Sequence, residues 1–461
     1  MPFHRLDEKD MEHLKSIVSS DRFSTGESNL DLHSRDTSRH MACRPEVVIW
    51  PLNRNEVSAI ITYANHHRVP VTAWGAGTSL EGNPIPLQGG IVLNFSQMDK
   101  IMNIREADFQ ADVEPGVIYQ DLNHKLRHSG LFFPPDPGAK ATIGGMIANN
   151  ASGTRTVRYG STKDHVLKLV VVMADGEIVE TGTRASKTSS GYDLLHLFVG
   201  SEGTLGLVVE ATVRLTGIAE EIASAIATFK TVENAGKAVF EIMRSGFGPA
   251  ALELLSPECV ELINSERALH LNVSPTLFME FHGPTKNQLS DILNMVHDTC
   301  VQEECLEFRP GLDREERDRF MEARYALGEM IRYKHPDHTS IVLDVAVPIS
   351  TYPRMIEFAR QEVRTPKNAH AYVFGHAGDG NLHIVLGAKA GSEEWSIIEE
   401  VNNRIVMKAL DMGGTATGEH GVGIGKAKFM EQEHGKALEW MKKIKTLFDP
   451  NGILNPGKLF P

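Results

Sequence analysis

The sequence predicts an α+β protein made of more than one packed region. Three observations lead there. At 461 residues the chain is longer than one core usually serves. From Val69 to about Leu215 it is strand-rich and broken by glycines. After Gly217 longer amphipathic helices mix with strands. Hydrophobic residues at 41% and charged residues at 23% fit a folded globular chain and argue against disorder.

The elements follow in order. Residues 1 to 45 read as a helix and then an irregular Ser/Asp-rich arm. Asn53 stands three residues before Glu56, a capping-box-like start. Val57, Ile60, Ile61 and Ala64 then recur at helical spacing, so residues 54 to 67 should form a helix with one buried face. Val69 to Trp74 is a short strand. Further strands lie in GGIVLNF, ADVEPGV, KLVVVMADGEIVETG and GLVVEATVRL, with a hairpin turn at Asp175-Gly176. The clearest helix covers 392 to 411: Trp395, Ile398, Val401, Ile405 and Val406 line one face, and Gly413-Gly414 stops it. The end, FDPNGILNPGKLFP, reads as a tail packed on another region.

Composition removes several function classes. The net charge is -13 and no basic block stands out, which argues against a nucleic-acid partner. Cys43, Cys259, Cys300 and Cys305 match no common zinc or iron–sulfur spacing and read as ordinary thiols of a reducing compartment. No apolar run reaches the length of a membrane span. The start, MPFHRLDEKDMEHLK, resembles neither a secretory signal nor a transit peptide, so the expected location is the cytoplasm, with any contact to an inner membrane peripheral.

Three glycine-rich stretches point to a cofactor. Gly75-Ala76-Gly77-Thr78-Ser79-Leu80-Glu81-Gly82 follows a strand, yet it opens no helix, because Pro84 and Pro86 follow. It lacks the Gly-Lys-Ser/Thr of a P-loop. What is left is a run of backbone N–H groups suited to a diphosphate, or else a plain turn. Pro134 to Gly138 leads into Thr142-Ile143-Gly144-Gly145 and a small-residue helix through Asn149. Gly200-Ser201-Glu202-Gly203-Thr204-Leu205-Gly206 precedes another strand.

A different chemistry sits near the C-terminus. In Phe374-Gly-His376-Ala-Gly-Asp379-Gly380-Asn-Leu-His383, Asp-Gly between apolar strands signals a hairpin. A two-residue turn would pair Gly378 with Asn381, Ala377 with Leu382 and His376 with His383. Directly opposed residues share one face with Cβ atoms roughly 4.5–5.5 Å apart, so the two imidazoles could grip one ion. A polar hairpin without metal is the alternative. Gly418-Glu419-His420-Gly421 places an acid and an imidazole side by side between glycines; alone, such a pair is as well read as solvent-facing.

Taken together, GAGTSLEG, GGMIANNASG, YGSTKDHV, GSEGTLG and FDPNGILNPGK resemble the vanillyl-alcohol oxidase/p-cresol methylhydroxylase superfamily, in its FAD-linked D-lactate dehydrogenase and glycolate oxidase flavin-subunit branch. The resemblance runs from about Pro45 to the C-terminus. It implies a two-subdomain PCMH-type FAD-binding domain over 1–217, a substrate (cap) domain of antiparallel sheet covered by helices over 218–421, and a segment over 422–461 that packs back on the FAD domain. It implies FAD contacts at Gly75, Ala76, Gly77, Thr78, Ser79 and Gly82, at Pro135, Asp136 and Thr142, at Gly144, Gly145, Asn149, Ser152, Gly153 and Tyr159, and at Glu202, Gly203, Gly206, Val208 and Asn455. Trp74 to Gly82 holds no histidine, so non-covalent FAD is expected. The matching motifs make His376, His383 and Glu419 ligands of a divalent metal (zinc, manganese or iron), His420 the base, and Arg324 the partner of a substrate carboxylate.

These residue types suit the oxidation of a 2-hydroxy acid. A bound ion acidifies the hydroxyl, a neutral imidazole takes its proton, and the flavin takes the hydride. Relatives acting on D-2-hydroxyglutarate would offer a second basic residue where this chain has Val342, and a hydroxyl where it has Gly328. That favours D-lactate or another small D-2-hydroxy acid, although Lys334 and His335 lie nearby. Electrons would pass to a quinone, a cytochrome or an electron-transfer flavoprotein. The alternatives are the flavin subunit of a glycolate oxidase complex, a D-2-hydroxyglutarate dehydrogenase, and, from another class, a flavin-free metal hydrolase. A homodimer is compatible with the sequence.

Overall fold

The computed structural model describes residues 2–267, 269–312 and 314–460. It divides into two units. The first comprises Met1–Ser152, Gly160–Ile218 and Glu419–Pro461; the second comprises Gly153–Tyr159 and Ala219–Gly418.

In the first unit, strands Val47–Ile49, Ile91–Asn94 and Val71–Trp74 pair in parallel, with Phe23–Ser24 antiparallel at one edge. The helix Arg54–His67 crosses between them. Its bounds follow from its ends: the Asn53 side chain accepts the N–H groups of Asn55 and Glu56, and Arg68 closes it in the left-handed region at φ 56. The expected Glu56 half of a capping box is absent, because that carboxylate takes the Leu52 N–H and the Arg22 guanidinium instead.

A second, five-stranded antiparallel sheet has the strand order Ile101–Arg105, Gln110–Val113, Leu207–Arg214, Val166–Val172, Ile178–Gly182. Val166–Val172 is apolar at almost every position because both faces are covered. Val170 and Val172 join the core under helix Arg54–His67, whereas Leu169 and Val171 join the core with Leu122, Ile143 and Met146. The tail enters the first of these cores. Ile453 and Leu454 are fully buried, and Val71 exchanges backbone hydrogen bonds with Ile453 and Asn455.

The second unit is a seven-stranded antiparallel sheet. Its order is Cys305–Gly311, Glu221–Phe229, Thr276–Gly283, Ala251–Leu255, His370–His376, Asn381–Lys389, His338–Ala346. Helices Pro257–Arg267, Arg314–Tyr325 and Leu327–Lys334 cover one face, packing Cys259, Ile263, Phe320 and Ile331 against Phe278, Tyr372, Phe374 and Val385. Helix Glu394–Asp411 buries Trp395, Ile398, Val401, Ile405 and Val406, the face its periodicity predicts. The four cysteines are free thiols. No described helix is long and apolar enough to cross a membrane.

Candidate active site

In the first unit a cavity opens where the three glycine-rich stretches converge. Gly75, Ala76, Gly77, Thr78 and Ser79 line it, with Thr142, Gly144, Gly145, Asn149 and Ser152 from the second stretch. Glu202, Gly203, Gly206 and Val208 of the third stretch complete the wall with Asn455, Glu419 and His420. Close approach explains two glycines. A Cβ at Gly75 would stand 2.4 Å from the Thr142 hydroxyl, and one at Gly77, whose φ is +69, would stand 2.7 Å from the Trp74 ring. The small-residue helix starts at Ile143, capped by Thr142, whose hydroxyl accepts the Gly145 N–H at 3.2 Å. Gly144 and Gly145 therefore belong to its first turn instead of preceding it.

Five residues expected at the flavin are not among those that line this cavity. Gly82 does not line this cavity; its N–H goes to Asp36 at 2.9 Å in a neighbouring turn. Pro135 is buried outside it, and Asp136 accepts the Tyr119 hydroxyl at 2.5 Å. Gly153 and Tyr159 belong to the second unit, where the Tyr159 hydroxyl meets His282 Nδ1 at 2.6 Å.

Asn455 and Glu202 turn out to be fastenings as well as walls. The Asn455 amide donates to the backbone carbonyls of Asn83 and Glu202 at 3.0 and 2.8 Å. The Glu202 carboxylate accepts the N–H groups of Val422 at 2.6 Å and Gly423 at 3.0 Å, just beyond Glu419-His420. Burial pushes the Glu202 carboxyl up to about 7 against the pull of these hydrogen bonds. Glu419 accepts the Ser152 hydroxyl at 3.0 Å, and Asn149 donates to the His420 carbonyl at 3.3 Å.

The second unit carries the histidine pair. Its register differs from the expected one. Phe374 stands opposite His383, and the hairpin closes through four residues, 377–380, instead of two. The Ala377 N–H is captured by Leu252 of the next strand at 2.8 Å, which keeps Ala377 out of the ladder with Leu382. The slip is two residues, so both imidazoles stay on one face as diagonal neighbours. Their centroids are 4.9 Å apart at 82°.

Two further residues, silent in the sequence, organise this pair. Glu253, fully buried, places Oε1 2.6 Å from His376 Nδ1 and accepts Arg324 Nε and Nη2 on Oε2 at 3.0 and 2.7 Å. Burial would raise its carboxyl, but His376 and Arg324 outweigh that and hold it near 2. Asp344, also fully buried, lies opposite His383, with Nδ1 of that ring at 3.8 Å. Asn381 and Thr417 donate to its two oxygens at 2.7 and 2.9 Å. Arg324 is buried with two nitrogens already on Glu253, and its guanidinium lies over the Phe374 ring at 4.9 Å. A charged residue inside the apolar strand Ala251–Leu255 was the available signal for Glu253.

The donor set in this unit fits a divalent ion. Glu253 engages His376 at Nδ1, as a carboxylate does for a metal-binding imidazole, and His383 stands edge-to-face beside it. Glu419 belongs to the first unit, one residue past the crossing at Gly418.

Comparison with known proteins finds two family models along the chain. Residues 45–182 match a family model described as "FAD binding domain", and 218–459 match "FAD linked oxidases, C-terminal domain". The chain is 37% identical to the mitochondrial D-lactate dehydrogenase [cytochrome] of Arabidopsis thaliana, over 98% of this chain and 80% of that one. It is 36% identical to glycolate oxidase subunit GlcD of Bacillus subtilis, over 97% and 96%. Among solved structures, 4-ethylphenol oxidase from Gulosibacter chungangensis superposes with a TM-score of 0.80 at 17% identity, covering 100% of this chain and 99% of that one, which supports the PCMH-type fold.

Proposed function

The chain belongs to the FAD-linked oxidase family, and from that premise we propose that it oxidises D-lactate, or a D-2-hydroxy acid of similar size, to the 2-oxo acid. The observation that carries this reading is the cavity of the first unit, where Glu419 and His420 share one wall system with the three glycine-rich stretches. An imidazole that could act as a base therefore lines the bed suited to a flavin.

FAD, when bound there without a covalent link, supplies the hydride acceptor at N5. Gly75 to Ser79 offer their backbone N–H groups to its diphosphate. His376, His383 and Glu419 would hold a divalent zinc, manganese or iron ion, which when bound supplies a Lewis acid for the substrate hydroxyl. His420 takes the hydroxyl proton on its imidazole. Arg324 draws the substrate carboxylate with the guanidinium edge that carries Nη1, the edge not turned to Glu253. Glu253 fixes the His376 ring and keeps the arginine in place.

Two features support a monocarboxylate. Val342 packs against an apolar cluster, and Gly328 has no side chain to offer a second carboxylate. His335 is engaged with Tyr372 and stacked on His370, so it does not serve as a second carboxylate anchor. A second reading, glycolate oxidation within a larger assembly, is supported by the Bacillus relative, which matches over nearly its whole length. Relatives named for cytochrome support a cytochrome as the electron acceptor, met by a cytoplasmic protein at the membrane surface. Dye reduction with D-lactate, L-lactate, glycolate and D-2-hydroxyglutarate, run side by side, tests the substrate. D-lactate should give the highest kcat/KM; a higher value with D-2-hydroxyglutarate overturns the reading.

A further inference from the structure

The face of the second sheet that carries His376 and His383 has another histidine group at its far end. His370 begins the strand that His376 ends. The two are six residues apart, about 20 Å along an extended chain, so the two groups are separate. His338 and Ser340 lie on the strand His338–Ala346, and His335 closes helix Leu327–Lys334 just before it.

These side chains meet because of one missing Cβ. Gly387 sits on the middle strand, opposite Ser340 on one side and His370 on the other. A Cβ there would come within 2.5 Å of the Ser340 hydroxyl and 2.6 Å of the His370 ring. With glycine at that position, the outer two strands reach across the middle one. His338 Nδ1 lies 2.9 Å from His370 Nδ1, and His335 lies flat on His370 with centroids 4.0 Å apart at 7°. One ring nitrogen from each of the three stands within 4.8 Å of the others.

The outer nitrogens have partners of the kind that orient metal-ligating histidines. His335 Nε2 is 3.0 Å from the Tyr372 hydroxyl, and His370 Nε2 is 3.0 Å from the Ser340 hydroxyl. In the tautomers where these Nε2–H groups donate to the hydroxyl oxygens, each Nδ1 keeps a lone pair turned inward.

We propose that His335, His338 and His370 form a second metal site, for a divalent transition ion that prefers imidazole nitrogen, of which zinc is the type. Capture turns His335 out of its parallel stack by rotation about χ2, so that three nitrogens converge at about 2.0–2.1 Å from the ion, with the fourth position left to water. The ion would tie the end of a helix to two strands that do not pair with each other in the sheet. This inference stands apart from the flavin reading, because none of its residues belongs to that machinery.

The test is zinc titration of the chelator-stripped, full-length flavoprotein by calorimetry, with flavin absorbance as the check on folding. Two equivalents are expected, one lost in His338→Gln or His335→Gln and the other lost in His383→Ala. A folded His338→Gln or His335→Gln protein that still binds every equivalent of the wild type overturns the proposal. A single equivalent removed only by His383→Ala overturns it too; a single equivalent removed only by His338→Gln supports it and counts against the ion at His376 and His383. The wild-type chain gives an independent readout. Zinc should protect His335 and His338 from diethyl pyrocarbonate in peptide mass spectra, and unchanged modification in saturating zinc refutes the site.

Discussion

Glu253 Oε1 and His376 Nδ1 lie 2.6 Å apart, and that contact decides which nitrogen of the ring faces away from the carboxylate. The same Glu253 side chain holds Arg324 through its other oxygen. One buried acid thus sets two groups of the proposed site. Glu253→Gln keeps the shape and removes the charge. Manganese or zinc affinity should fall about 10–100-fold, as for other altered partners of metal-bound histidines. Urea unfolding should show a loss of roughly 3–5 kcal/mol, the scale for a broken buried ion pair. Wild-type affinity in the variant would separate Glu253 from the metal site.

His420→Ala should lower the rate of D-lactate-dependent dye reduction by about 10²–10⁴, the range for a general base. Flavin content should not change. An unaltered rate at saturating substrate would move the base to another residue.

Thorough chelation should abolish D-lactate oxidation while the visible flavin spectrum persists, and added zinc or manganese should restore it. Full turnover by metal-free protein would remove the ion from the reaction.

Acid precipitation should release the flavin into the supernatant, since the loop from Trp74 to Gly82 carries no histidine to tether it. Flavin retained in the washed pellet would show a covalent link.

Glu202 gives a pH-dependent prediction. Burial raises its carboxyl from the ordinary 4.5 to about 7. An acid with a raised folded value stabilises the fold fully below its unfolded value and loses that contribution as pH rises through the folded one. Relative to Glu202→Gln, the wild-type protein should lose stability between pH 4.5 and about 7 and change no further above it. The difference amounts to about 3 kcal/mol at 1.36 kcal/mol per unit. Parallel unfolding midpoints for both proteins over pH 4.5 to 8 measure it; a constant gap across the range would show that Glu202 does not titrate there.

The sequence was most legible where structure is local. Helix Arg54–His67 follows from four apolar residues at helical spacing and the Asn53 cap, both properties of neighbouring residues. The hairpin at 377–380 was legible as a turn and as a shared face, while its register depended on Leu252, a residue of another strand. The face survived because a two-residue slip preserves the alternation of side chains. Glu253 and Asp344 were hidden for the same reason. Each is an acid inside an apolar strand, and only the sheet order brings it to a histidine. Arg324 was named from its motif, but its attachment to Glu253 is a tertiary fact. In the glycine-rich stretches the residue types pointed to the cavity, whereas Gly82 and Asp136 are engaged outside its lining by the Asp36 carboxylate and the Tyr119 hydroxyl.

The pairing of Val71 with Leu454 has a consequence for biogenesis. The parallel strands near the start of the chain stay without that edge partner until the last stretch has left the ribosome. The second unit, continuous from Ala219 to Gly418 apart from one short piece, is made before that stretch. Order of synthesis and sequence distance both make the first unit the late one to close. A nascent chain stalled before residue 449 should therefore protect the second sheet from protease while leaving the cofactor bed open. Flavin would be taken up only after that stretch has been made.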